Sequence, residues 1–169
     1  TEELRSRFCE LTRRSYVITP NLTEALLLLH GKEKMEEIWK ELQKASETRR
    51  MEEIREIGCG LARKFSLPAV VITGVDHMEE GQPLKMGNLV LENENSSWVF
   101  AEKSGGSYSG TGDLFASVLS AGLVKRYSMK TCAELAVNFI SASIRDAVEE
   151  GTDRNDGVCF EQHLGMLLQ

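Results

Sequence analysis

The chain contains no run of about 18 apolar residues, no excess of basic residues and no closely paired cysteines. The first absence excludes a membrane-spanning helix. The second follows from 20 Lys and Arg against 26 Asp and Glu, a net charge of −6, with the basic residues interleaved among acids. It argues against a nucleic-acid partner, because neutralising phosphates needs clustered cations. Cys9, Cys59, Cys132 and Cys159 stand far apart with no C-x-x-C pair, which argues against zinc and against a disulfide framework. Reduced thiols, with no signal-peptide pattern, lead to the expectation of a cytoplasmic protein. Two phosphate-binding signatures are also missing. No G-x-x-x-x-G-K-[ST] occurs, so this is not a P-loop protein, and no G-x-G-x-x-G follows a strand, so there is no dinucleotide fingerprint. Internal repeats and low-complexity segments are absent as well. Thr1-Glu2-Glu3-Leu4 leads straight into a helical pattern without an initiator Met, and a fragment or excised domain is expected.

What is present suits one core-bearing unit spanning residues 1–169. Hydrophobic residues make up 41% and charged residues 27%, the balance of an ordinary globular domain. Leu4, Phe8 and Leu11 recur at helical spacing and predict an amphipathic helix from Glu2 to Arg14. Tyr16 to Thr19 is a short β-branched run stopped by Pro20, and Thr23 to Leu29 makes a helix closed by Gly31. From Lys32 to Lys64 two charged helices follow, marked by Met35, Ile38, Trp39 and Leu42 and by Met51, Ile54, Gly58, Leu61, Ala62 and Phe65. Their charge reads as a solvated face.

Ala69 to Thr73 is a second buried-strand pattern, ended by Gly74. Asp76 to Pro83 reads as turn. Leu84 to Leu91 and Trp98 to Ala101 read as a hairpin joined by Asn93-Glu94-Asn95-Ser96. Helices are predicted from Thr111, from Thr131 to Glu149, and from Phe160 to Leu168. Strands separated by helices argue for an α/β sandwich with a largely parallel sheet and an edge hairpin.

One stretch organises the functional reading: Ser104-Gly-Gly-Ser-Tyr-Ser-Gly-Thr-Gly-Asp113, continuing into an apolar stripe of Leu114, Phe115, Val118, Leu119 and Gly122. Gly110, Thr111 and Gly112 fall where a loop becomes a helix. There the first N–H groups lack intrahelical partners and the macrodipole favours an anion. Asp113 in the first turn is either a helix-stabilising acid or a general base taking a proton from a hydroxyl nucleophile. Asn21 and Glu24, three apart at a helix start, form either an N-cap with its capping-box acid or part of a hard-cation site, and the two are compatible. Thr73 and Gly74 are either structural or a hydroxyl and bare backbone meeting a phosphate. All three spots follow predicted strands, and ligands of α/β sheets bind beyond the carboxyl ends of strands, so one rim is expected to gather them.

Ile18-Thr-Pro-Asn-Leu-Thr-Glu24, Val71-Ile-Thr-Gly74 and Gly110-Thr-Gly-Asp-Leu-Phe115 together resemble the ribokinase-like superfamily. Within it the chain is most similar to the pyridoxal/pyridoxamine kinases of vitamin B6 salvage. The Asp153-to-Glu161 tail also resembles bacterial members. Related hydroxymethylpyrimidine kinases tend to carry Cys where Asp113 stands. The resemblance implies a three-layer α/β/α sandwich and an ATP- and Mg²⁺-dependent kinase acting on a pyridoxal-type hydroxymethyl group. It implies that Asp113 is the base, that Gly110, Thr111 and Gly112 are the anion hole, and that Asn21 and Glu24 organise Mg²⁺ and the ATP phosphates. Thr73, with Gly74, would contact those phosphates, and Tyr108 would border the adenine. Full-length members carry a further N-terminal half, so the chain resembles the C-terminal, nucleotide-binding portion. Exposed apolar surface left by that half leads to an expected homodimer. Two other readings stand beside this one: a hydroxymethylpyrimidine or sugar kinase, and a non-catalytic nucleotide-binding module.

Overall fold

A computed structural model describes residues 2–93 and 95–168. The elements in order are α1 (Glu2–Thr12), β1 (Val17–Ile18), α2 (Leu22–His30), α3 (Lys32–Lys44), α4 (Glu47–Phe65), β2 (Ala69–His77), β3 (Lys85–Glu92), β4 (Asn95–Glu102), α5 (Thr111–Val124) and α6 (Met129–Glu150). A 3-10 segment, Glu161–Leu167, follows where a short helix is expected. The sheet order is β1-β2-β3-β4. β1 pairs in parallel with β2, Val17 opposite Ala69 and Ile18 opposite Val70. The connections after β2 and β3 are too short for crossovers, so those neighbours run antiparallel and the sheet is mixed. Among the described residues no helix is long and apolar enough to cross a membrane.

The chain divides into two compact units. The first comprises residues 1–77 and 87–98. Its centre is β2, where Ala69, Val70, Val71 and Ile72 are all buried, as a strand covered on both faces requires. Ala25 and Leu26 of α2, Leu42 of α3, Ile54, Leu61 and Phe65 of α4, and Leu89 and Leu91 of β3 share one core with Val70 and Ile72. α4 lies so close to β3 that a Cβ on Gly58 would fall 2.3 Å from Leu91 Cδ1. Lys64 Nζ donates to the carbonyls of Leu28 and Leu29 at 2.8 and 2.7 Å, closing the end of α2. α1 behaves differently from an ordinary amphipathic surface helix. Its stripe is not covered: Leu4, Phe8 and Leu11 are 55%, 54% and 64% exposed.

β2 runs past Gly74 to His77, so the expected stop at Gly74 and turn from Asp76 are corrected. Gly74 takes a left-handed φ of 70°, yet pairing continues. Beyond it His77 is buried, and its Nδ1 bonds Glu47 Oε1 of α4. The hairpin turn is likewise tighter than expected: Asn95 and Ser96 lie within β4, and Asn93 takes φ 47°.

The second unit comprises residues 78–86 and 99–169, so β3 and β4 each contribute to both units. Its framework is the α5–α6 pair. Phe115, Val118 and Leu119 of α5 are buried, following the stripe read from the sequence, and Cys132, Ala136, Phe139 and Ile140 of α6 are buried as well. At Gly122 the helices nearly touch, since a Cβ there would lie 2.7 Å from Cys132 Sγ. α6 starts at Met129, with Ser128 Oγ accepting from the Thr131 N–H, and ends at left-handed Gly151. His163 Nε2 bonds Asp146 Oδ2 at 2.8 Å, tying the 3-10 segment to α6.

Candidate functional site

Two of the three expected motifs meet in the first unit. Thr73 N–H donates to Pro20 O at 2.9 Å, and Asn21 forms a parallel bridge with Thr73. The strand pairing that begins at Val17 and Ala69 therefore carries Asn21 to the side of Thr73. Thr73 Oγ1 sits 3.5 Å from the same Pro20 carbonyl. At the start of α2 the capping box is complete. Asn21 Oδ1 accepts from Glu24 N–H at 2.9 Å, and Asn21 N–H donates to Glu24 Oε2 at 3.0 Å. Both side chains are exposed, so capping holds the carboxylate in one place without covering it.

The next residue along β2 brings in a side chain that the motif reading missed. Gly74 N–H donates to Asn88 Oδ1 at 3.3 Å, and Asn88 of β3 is buried. The available signal was a polar residue set inside the apolar run Gly87–Leu91. A Cβ on Gly74 would meet nothing within 4 Å, so the backbone there faces open space.

In the second unit, Gly110 is the N-cap residue of α5, with φ 79° and no side-chain cap. Its carbonyl accepts from Leu114 N–H at 3.0 Å, the first intrahelical bond. The N–H groups of the turn before Leu114 therefore lack intrahelical partners. Cβ atoms placed on Gly110 and Gly112 would also meet nothing within 4 Å. Thr111 Oγ1 donates to Tyr108 O at 3.1 Å, which fixes the step from loop to helix. Asp113 is exposed in the first turn. The arrangement is an open cradle of amides with a solvent-facing carboxylate beside it, able to hold an oxyanion and take a proton.

Tyr108 is only 6% exposed and clusters with Ala147 and Val158, so its ring is committed to packing and its carbonyl serves the loop. Behind the loop, Ser109 N–H donates to Arg154 O at 2.9 Å. Among the described residues no group of three or more His, Cys, Asp or Glu could hold a metal ion by itself. A cation here must take most of its ligands from water and phosphate. Mg²⁺ accepts as few as one or two carboxylates, and the exposed Glu24 carboxylate, held by its cap, could supply one.

Comparison with known proteins agrees with this fold. A candidate phosphomethylpyrimidine kinase from Bacteroides thetaiotaomicron matches with a TM-score of 0.81 at 26% identity, over 100% of this chain and 53% of its own. A second crystal form of that protein, with pyridoxal, gives 0.79 at 26% identity over 100% and 55%. Pyridoxal kinase from Lactobacillus plantarum gives 0.73 at 22% identity, over 99% of this chain and 54% of its own. Pyridoxal kinase from Bacillus subtilis, solved as an ADP complex, gives 0.62 at 24% identity, over 83% and 47%. The chain thus spans about half the length of the solved structures it matches. No curated protein matches it. The phosphomethylpyrimidine kinase family model matches residues 1–157, and the chain belongs to that family.

Proposed function

We propose that the chain carries the nucleotide site and catalytic base of an ATP-dependent kinase that phosphorylates the 5′-hydroxymethyl group of pyridoxal, pyridoxamine or pyridoxine. The observation that carries this reading is the uncapped start of α5, with open space at Gly110 and Gly112 and an exposed Asp113 beside it. The B. thetaiotaomicron relative solved with pyridoxal and the B. subtilis pyridoxal kinase solved with ADP support the choice of substrate and donor.

In this mechanism Asp113 accepts the hydroxyl proton as the hydroxymethyl oxygen bonds to the γ-phosphorus of ATP. The bond from that phosphorus to the bridging oxygen breaks, and ADP leaves with the electron pair. The amides at Gly110, Thr111 and Gly112 hold the transferring phosphoryl oxygens. Positioning and charge neutralisation supply most of the rate, as expected for phosphoryl transfer. Asn21, Thr73 and Gly74 contact the nucleotide phosphates. Tyr108, its ring taken up by packing, belongs to the nucleotide site through its backbone. Glu24, with Asn21 beside it, would hold Mg²⁺, which would supply neutralisation of phosphate charge. The protein acts in the cytoplasm as a homodimer.

A hydroxymethylpyrimidine kinase is the second reading, favoured by the description of the matching family. Asp113, where such kinases tend to carry Cys, favours the B6 substrate. Phosphate transfer from Mg-ATP by the full-length protein, with pyridoxal, hydroxymethylpyrimidine and a sugar offered in parallel, tests the choice. The expected result is the highest kcat/KM for pyridoxal. A preference for the pyrimidine or the sugar overturns the substrate assignment.

A further inference from the structure

The glycine loop that leads into α5 is covered by residues far along the chain. A Cβ on Gly105 would lie 2.6 Å from Val148 Cγ2, near the end of α6. A Cβ on Gly106 would lie 2.4, 2.5 and 2.7 Å from the guanidinium carbon and two nitrogens of Arg154. Gly106 has no left-handed φ, and the space a Cβ would take is filled by the guanidinium end of Arg154, an exposed side chain that a methyl at 106 would push off the loop. The Arg154 main chain grips the same loop, its carbonyl accepting the Ser109 N–H at 2.9 Å. Next to it, a Cβ on Gly157 would lie 3.6 Å from Ser109 O. The 153–157 segment is itself folded into a tight turn. Asp153 Oδ1 accepts from Asn155 N–H at 2.8 Å, and Asp156 N–H donates to Asp153 O at 3.0 Å. Among the described residues the Arg154 guanidinium has no ion pair that would hold it elsewhere.

We propose that Arg154 is a positioning residue for phosphate transfer. Its planar guanidinium lies on Gly106 while its carbonyl holds Ser109, and the two together fix the loop that sets Gly110 at the head of α5. A guanidinium is planar and weakly hydrated, whereas a lysine ammonium is a compact, strongly hydrated charge. The functional consequence rests on the kinase reading, whereas the clamp itself rests on the geometry within this unit.

A double-mutant cycle tests it in the full-length protein, with Gly106→Ala, Arg154→Ala and their combination. Amide exchange over residues 104–109 and kcat at saturating ATP are the two readouts. Each single variant is expected to speed exchange roughly tenfold and to lower kcat roughly tenfold, with KM for the acceptor unchanged, on the scale of misplaced catalytic geometry. The double variant is expected to match the singles, because without the guanidinium a methyl at 106 has room. Should Arg154→Ala fail to fold, Arg154→Met keeps the stem and removes the planar cation. Multiplying effects in the double variant, or unchanged exchange in Arg154→Ala, overturn the proposal. Exchange requires no turnover. If the unaltered protein transfers no phosphate, the kinase reading fails, and the exchange cycle still decides whether the clamp exists.

Discussion

Asn21 and Glu24 bond each other's backbone reciprocally, at 2.9 and 3.0 Å, across the first turn of α2. The carboxylate proposed to organise Mg²⁺ is therefore oriented by the helix it starts. A cap and a cation site can share one residue when the cap uses one carboxylate oxygen, here Oε2.

Substitution separates the two roles. Glu24→Ala removes the partner of the Asn21 N–H and is expected to cost about 1 kcal/mol in urea unfolding. Glu24→Gln keeps an oxygen for that N–H and should unfold close to the unaltered protein. The same Gln variant should bind Mg-ATP at least about tenfold more weakly by calorimetry, because a neutral amide is a poor Mg²⁺ ligand. Undiminished Mg-ATP binding by Glu24→Gln would leave Glu24 as a cap alone.

Gly110 and Gly112 should respond in opposite directions. Gly110 sits at φ 79°, so Gly110→Ala is expected to destabilise by about 1–2 kcal/mol although no atom obstructs the methyl. Gly112 has no positive φ and lies in the first turn, so Gly112→Ala should stabilise by about 0.5–1 kcal/mol. Its methyl would nevertheless stand over the amide cradle and lower kcat by at least about tenfold, through weakened oxyanion contacts. Thermal melting together with turnover checks the pair. A Gly112→Ala protein that is both more stable and fully active would argue against the anion hole.

His30, at the end of α2, titrates below its ordinary value because burial, then Lys64 and Lys34, disfavour its charged form. The unfolded chain then binds a proton that the folded chain resists. This component of stability is complete above pH 6.5 and is lost as pH falls from there toward the lower folded pKa. His30→Gln should flatten the difference in unfolding midpoint between pH 7.5 and about pH 5.5. An unchanged pH slope in that variant would remove His30 as a source.

Much of this architecture can be read from residue order. The continuous apolar run Ala69–Ile72 announced a strand buried on both faces, and the α5 stripe from Leu114 to Gly122 announced the helix behind Asp113. The Asn21–Glu24 spacing announced the capping box. Where the reading failed, distant partners decided the outcome. Gly74 looked like a stop, but its N–H is taken by Asn88 and its strand continues to His77, which Glu47 holds from 30 residues away. Local pattern cannot reveal such pairs. Nor can it reveal that Arg154 fills the space over Gly106, or that the Tyr108 ring turns into a cluster with Ala147 and Val158.

The most direct test is phosphate transfer from ATP to pyridoxal by full-length Asp113→Asn. Asn keeps the size and first-turn position of the side chain but cannot accept the hydroxyl proton. The expected result is a fall in kcat of about 10²–10⁴-fold, the scale of losing a general base, with Mg-ATP affinity retained. Unchanged turnover would contradict the account at its centre.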